Sequence, residues 1–256
     1  MEFNILLPLA GFAVGVVVGM TGVGGGALMT PALIFGLGVN PVVAVGTDLI
    51  FAGITKSIGV YAHRVAGNID WPVMRLLALG SIPATIASVV VLNRLSSLEI
   101  LNATILPVLG GALLLTALVV ASRGRIAAIA ARLSGQEGPV GPGWIVFSGA
   151  ILGCLVTLSS VGAGALGVAV LMICRPSMES KHIVGTNLAH ALPLALIAGA
   201  GHWTLGTVDF ELLGALLIGS LPGIYLGSSL MGRVPEPVLR AVLATVLVAA
   251  GLMCIL

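Results

Sequence analysis

Apolar positions fall into eight long runs, at about 5–39, 42–62, 72–92, 99–121, 143–174, 182–202, 210–231 and 236–256, separated by short polar punctuation. Six of them are about 21–23 residues long, the length at which a helix rising 1.5 Å per residue crosses a hydrocarbon core of about 30 Å. The pattern predicts an all-α, polytopic membrane protein. Two runs are too long for one crossing: the first, as a single helix, would extend about 52 Å. Each carries a glycine cluster near its middle, Thr21-Gly22-Val23-Gly24-Gly25-Gly26 and Ser159-Ser160-Val161-Gly162-Ala163-Gly164. Glycine weakens helices and permits turns, so each run is either a hairpin of two short helices or one kinked crossing.

Charge separates the two options. With Lys56 set aside inside its span, hairpins put Arg64, Arg75, Arg123, Arg125, Arg132, Arg175, Lys181, Arg233 and Arg240 on one side and Arg94 alone on the other. Single crossings would divide these residues evenly. Positive charge gathers on the cytoplasmic side, so the hairpin model is preferred. It places both termini outside and makes 122–142, with its Gly135, Gly138, Pro139, Gly141 and Pro142, a cytoplasmic linker between repeats 1–121 and 143–256.

The repeats are visible as residues. An offset of 139 pairs Val45-Gly46-Thr47-Asp48-Leu49 with Val184-Gly185-Thr186-Asn187-Leu188, His63 with His202, Asp70 with Asp209, and Gly80-Ser81-Ile82-Pro83 with Gly219-Ser220-Leu221-Pro222. At 138, Gly22–Leu28 faces Ser160–Leu166, and Gly11 and Gly15 face Gly149 and Gly153. A broken hairpin followed by three helices makes an odd number of net crossings, so the halves would be inverted, as in many secondary transporters.

Composition sharpens this picture. Hydrophobic residues make up 58% and charged residues 8%, with a mean hydropathy of +1.19, which excludes a soluble enzyme. A formal net charge of +2 without a basic cluster gives no support to a nucleic-acid partner. Cys154, Cys174 and Cys254 read as buried thiols. The start of the chain, with no Lys or Arg before its apolar run, reads as part of the mature fold. H-E-x-x-H and G-x-S-x-G are absent from the sequence, and one aspartate within the spans cannot form a dyad, so no catalytic residues, metal or cofactor are expected.

The glycine break Gly22–Gly26, its degenerate copy at 160–164, the paired V-G-T-[DN]-L elements and the duplicated layout resemble the sulfite exporter TauE/SafE family along essentially the whole chain. The resemblance implies a multi-pass inner-membrane carrier of small sulfur-containing anions, sulfite or organosulfonates, working as an exporter. A passive channel or a carrier of a non-sulfur anion is the alternative. The bilayer and a small anion are the expected partners. A coupling proton or sodium ion is an open question, as is a homo-oligomer.

Gly22, Gly24, Gly25, Gly26, Gly162 and Gly164 either let helices pack closely or expose backbone N–H groups to an anion. On the second reading Gly25→Val abolishes binding, whereas Gly11, in a helix body, tolerates alanine better. The hydroxyls of Thr47, Thr186 and Ser160 can donate to an oxyanion or bond back to their own helix. Asp48 is a candidate for a coupling proton or a structural tie, Asn187 for the tie. Lys56 either supplies charge or snorkels. His190 is a ligand or a core histidine. His63 and His202 read as interfacial anchors, and Asp70 and Asp209 as helix N-caps.

Overall fold

The computed structural model describes residues 6–21, 26–95, 97–133, 141–230 and 235–256. Helix is the only regular structure among them. The chain order is α1 (Leu6–Thr21), α2 (Gly26–Pro31) with a π-helical turn at Ala32–Gly36, α3 (Pro41–Val65), α4 (Trp71–Arg94), α5 (Leu98–Leu133), α6 (Pro142–Ser159), α7 (Ala165–Cys174), α8 (Ser180–Thr204), α9 (Phe210–Ser229) and α10 (Glu236–Ile255). Among the described residues, seven helices are long and apolar enough to cross a membrane. The two overlong apolar runs are both broken, with helices ending at Thr21 and Ser159 and starting again at Gly26 and Ala165. Gly22, Gly24 and Gly25, and with them the Gly25→Val expectation, lie outside the described residues.

Local chemistry explains the boundaries. Asn40 caps α3 by accepting from the Val42 N–H at 3.1 Å, and Pro41 follows at the first helical position, where the missing N–H costs nothing. Asp70 and Asp209 are the N-caps that the sequence predicts, accepting from Val73 N at 3.0 Å and Leu212 N at 2.9 Å. One boundary moves. Residues 122–133, assigned from sequence to the linker, continue α5 as helix, because their Ala, Arg, Ile and Leu are good helix formers and the turn residues begin only afterwards. At 36 residues α5 is about 54 Å long, well beyond a hydrocarbon core.

Packing crosses between the halves. Gly11 and Gly15 of α1 lie against the backbone of Leu216 and Ser220 of α9, while Gly149 and Gly153 of α6 lie against Leu77 and Ser81 of α4. The second set is the first shifted by the repeat. A methyl group on Gly11 would come within 2.6 Å of the Leu216 carbonyl oxygen, so the expected tolerance of Gly11→Ala does not survive. A helix-body glycine is costly to replace when its neighbour is backbone, which cannot rotate away.

The other pairs are symmetric in themselves. Along α3 and α8, Gly46 meets His202, Gly53 meets Leu196 and Gly59 meets Leu188. The rising number on α3 against the falling number on α8 makes this pair antiparallel. Helices α5 and α10 run the same way, with Gly110 against Gly251 and Gly124 nearest Arg240. The loops after α3 and α8 also match. Gly67 and Gly206 both have φ +70°, a left-handed turn that favours glycine.

Two further expectations are corrected. Cys154 is exposed, because the α6 stripe of Gly149 and Gly153 is the one that faces α4. His202 is fully buried rather than interfacial, its ring nitrogens 3.0 Å from Thr207 Oγ1 and the Thr157 carbonyl. Its loop folds back under α3, where Gly46 leaves room for the ring. His63, its counterpart, is half-buried near Gly185.

Candidate functional site

The two breaks converge. Gly26 at the start of α2 lies against Ser160 at the end of α6. Between them is a partly enclosed cleft, narrow enough for only about one water molecule, lined by Gly26, Ala27, Lys56, Thr116, Ser160 and residues 162–165. Helix α7 begins here with Gly164 as an N-cap that has no side-chain hydrogen bond. Its first turn bonds only from Gly167, whose N–H donates to the Gly162 carbonyl at 3.0 Å. The N–H groups of Ala165 and Leu166 therefore have no acceptor among the described residues. Such a helix end carries roughly +0.5 elementary charge.

Ser160 is the most informative residue of the cleft. It closes α6 with φ 55° and donates its N–H to the Val156 carbonyl at 2.8 Å. A non-glycine residue pays about 1–2 kcal/mol for that left-handed conformation. Glycine takes this conformation freely and stands at the matching sequence position, Gly22, so the turn itself does not call for serine at Ser160. Its hydroxyl is buried and has no hydrogen-bond partner among the described residues. Gly162, at φ +119°, completes the reversal.

Lys56 comes from the body of α3 and is 8% exposed. Its ammonium has no ion-pair partner among the described residues, though Asp48, two turns back, acts on it through space. Asp48 is fully buried. Its Oδ2 accepts from Thr30 Oγ1 at 2.6 Å, tying α3 to α2, while its Oδ1 lacks a partner among the described residues. Asn187, the repeat counterpart, works with opposite polarity: its Nδ2 donates to the carbonyls of Ala163 at 3.0 Å and Gly164 at 3.2 Å. It thereby holds the mouth of α7.

Other candidates sit elsewhere. Thr47 accepts from the Asp209 N–H at 3.0 Å and Thr186 from the Asp70 N–H at 2.9 Å, so each hydroxyl fixes the N-cap of a helix in the opposite half. His190 is buried with Nε2 2.9 Å from Ser81 Oγ, outside the cleft lining. Gly26, Ser160, Gly162, Gly164 and Lys56 are thus brought together, whereas Thr47, Thr186 and His190 are not. Thr30 and Thr116 escaped the sequence reading. Thr30 had one signal, a lone hydroxyl in an apolar half-helix just before Pro31. Among the described residues no group of three or more His, Cys, Asp or Glu could hold a metal.

Comparison with known proteins agrees with this architecture. The family model described as Sulfite exporter TauE/SafE matches residues 7–254. A probable membrane transporter protein of Bacillus subtilis, YjnA, is 35% identical over 97% of this chain and 98% of its own. A second from the same organism, YdhB, is 28% identical over 97% and 99%. A probable membrane transporter protein of Methanocaldococcus jannaschii is 26% identical over 100% and 97%. No solved structure matches.

Proposed function

From the premise that this chain belongs to the sulfite exporter TauE/SafE family, we propose that it is a secondary carrier of a small sulfur-containing oxyanion, of the sulfite or organosulfonate kind, exported across the inner membrane by alternating access around the cleft between the two breaks. The family and the names of the relatives support a membrane transporter rather than an enzyme. The cleft supports the finer reading. A strained serine offers an unpaired hydroxyl beside a buried ammonium and the uncapped N-terminus of α7. Each of these donors suits an oxyanion.

The cleft has room for about one water molecule. An oxyanion of four heavy atoms therefore needs its walls to part, as in a carrier at the closed stage of its cycle. This favours a carrier over an open channel, and counterflow in proteoliposomes separates the two, since a pore gives none.

The antiparallel run of α3 against α8 supports inverted halves. A two-fold that exchanges two antiparallel helices lies across their axes, hence in the membrane plane if both span it. Accessibility tests this with single cysteines in a Cys-free background. Arg125→Cys and Ser177→Cys should react only from the cytoplasmic side and Ser97→Cys only from outside. Labelling of positions 125 and 177 from opposite sides would sink the hairpin in the second half.

Ser160 provides the test of the site. Ser160→Gly should stabilise the protein by about 1 kcal/mol through relief of the left-handed strain. It should also weaken sulfite binding by roughly 10-fold or more, for a lost hydrogen bond to a charged group of about 1.5–3 kcal/mol. The readout is thermal unfolding with and without sulfite, paired with sulfite counterflow. Unchanged sulfite-dependent stabilisation in Ser160→Gly would place the anion elsewhere.

A further inference from the structure

The repeat relates Asp48 to Asn187, and these residues hold their half-helices differently. Asn187 has a permanent donor and uses it on the carbonyls of Ala163 and Gly164 at the start of α7. The carbonyl equivalent to that of Gly164 is Gly26 O, at the start of α2. An ionised Asp48 has no donor for it. The carboxyl is fully buried, with Oδ2 taking the Thr30 hydroxyl and Oδ1 unpaired. Ser160 Oγ approaches this carboxylate without making a hydrogen bond to it. A buried carboxylate with one oxygen unpaired is expensive, and a protonated one gains an O–H donor like the amide of asparagine.

We propose that Asp48 takes up and releases a proton during the transport cycle, and that the protonated side chain latches α2 as Asn187 latches α7. The proton comes from water on one side, travels as the O–H of Asp48 and returns to water on the other, with no other bond made or broken. Lys56 is the charged group that acts on Asp48. The elements packed on α3 bring it no second charge: α2 has no titratable residue, and α6 has Cys154 alone, which is exposed. On α8, His190 and His202 are occupied with Ser81, and with Thr207 and the Thr157 carbonyl, while Lys181 and His182 lie in its first turn, at the end of the antiparallel pair away from Asp48. Glu99 of α5 and Glu211 of α9 lie in the first turns of those helices, on exposed positions. An anion seated at Lys56 opposes a second negative charge on Asp48, so anion and proton load together. The direction of net flux then follows the larger of the two gradients.

This inference rests on the anion-carrier reading, and its test separates the two. The full-length protein is reconstituted in liposomes with methanesulfonate, which stays ionised throughout, and with sulfite. In the native protein an imposed pH gradient should drive net anion movement, and protons should move with the anion. Asp48→Asn should keep anion-for-anion exchange and lose both pH-driven accumulation and proton movement. Accumulation that persists in Asp48→Asn, or a folded variant without exchange, overturns the proposal. If Asp48→Asn does not fold, infrared spectroscopy of the native protein decides. A protonated-carboxyl band that titrates and responds to the anion supports the proposal, and its absence overturns it. Absence of exchange of either anion in the native protein removes the carrier reading for these anions, and the infrared titration alone then judges Asp48.

Discussion

Lys56→Met should raise the apparent dissociation constant for sulfite by roughly 30- to 1,000-fold, the equivalent of about 2–4 kcal/mol for losing a desolvated charge partner. The size of the effect follows from position. Lys56 lies in the body of its span and is nearly buried, it lines the cleft, and its ammonium has no ion-pair partner among the described residues. Its repeat counterpart is Ala195, so the second half supplies no replacement. Burying that ammonium is costly without a counterion, and the anion-free variant should therefore melt no lower than the native protein. Lys56→Arg should recover part of the affinity, because charge returns while the fork fits a narrow cleft poorly. Thermal stabilisation by sulfite, paired with flux, measures both effects. A lysine that merely snorkels predicts nearly normal behaviour from both variants.

Gly80→Leu should cost about 3 kcal/mol or more, at the severe end of single substitutions. A side chain there would run into the Val146 carbonyl of α6, and its counterpart Gly219 lies in the same way on the Pro8 carbonyl of α1. Gly219→Leu should therefore fail to a similar degree. The control lies on the same helix as Gly219: Gly214 has no atom near its missing Cβ, so Gly214→Leu should fold as well as the native protein. Monodisperse yield in detergent and the unfolding midpoint report the difference. Native-like stability in Gly80→Leu would mean that α4 and α6 are not in backbone contact.

Much of this was legible because hydrocarbon imposes length and satisfied backbone. The eight apolar runs, both breaks and the caps Asp70 and Asp209 follow from run length, glycine spacing and N-cap chemistry. The tertiary roles of polar residues were hidden. Thr47 and Thr186 read as anion donors because a hydroxyl within a span has few local explanations. Their partners are backbone N–H groups in the opposite half, which no local pattern reveals. His202 looked interfacial from its place at a span end, yet the loop beyond it turns inward. The glycines of α1 and α6 were equally ambiguous. Spacing marks a face, but only the structure shows whether that face meets side chains or backbone.

The crossed pairing of α1 with α9 has a consequence for how the chain is made. Gly11 and its partner Leu216 are separated by about 200 residues, which a ribosome adding about 5–20 residues per second takes roughly 10–40 s to synthesise. Throughout that interval α1 has left the ribosome while the helix that fills its glycine groove has yet to be translated. The pair α4 and α6, by contrast, is complete soon after Gly153 emerges. Translation thereby constrains the order of assembly, with α1 among the last of these helices to find its partner.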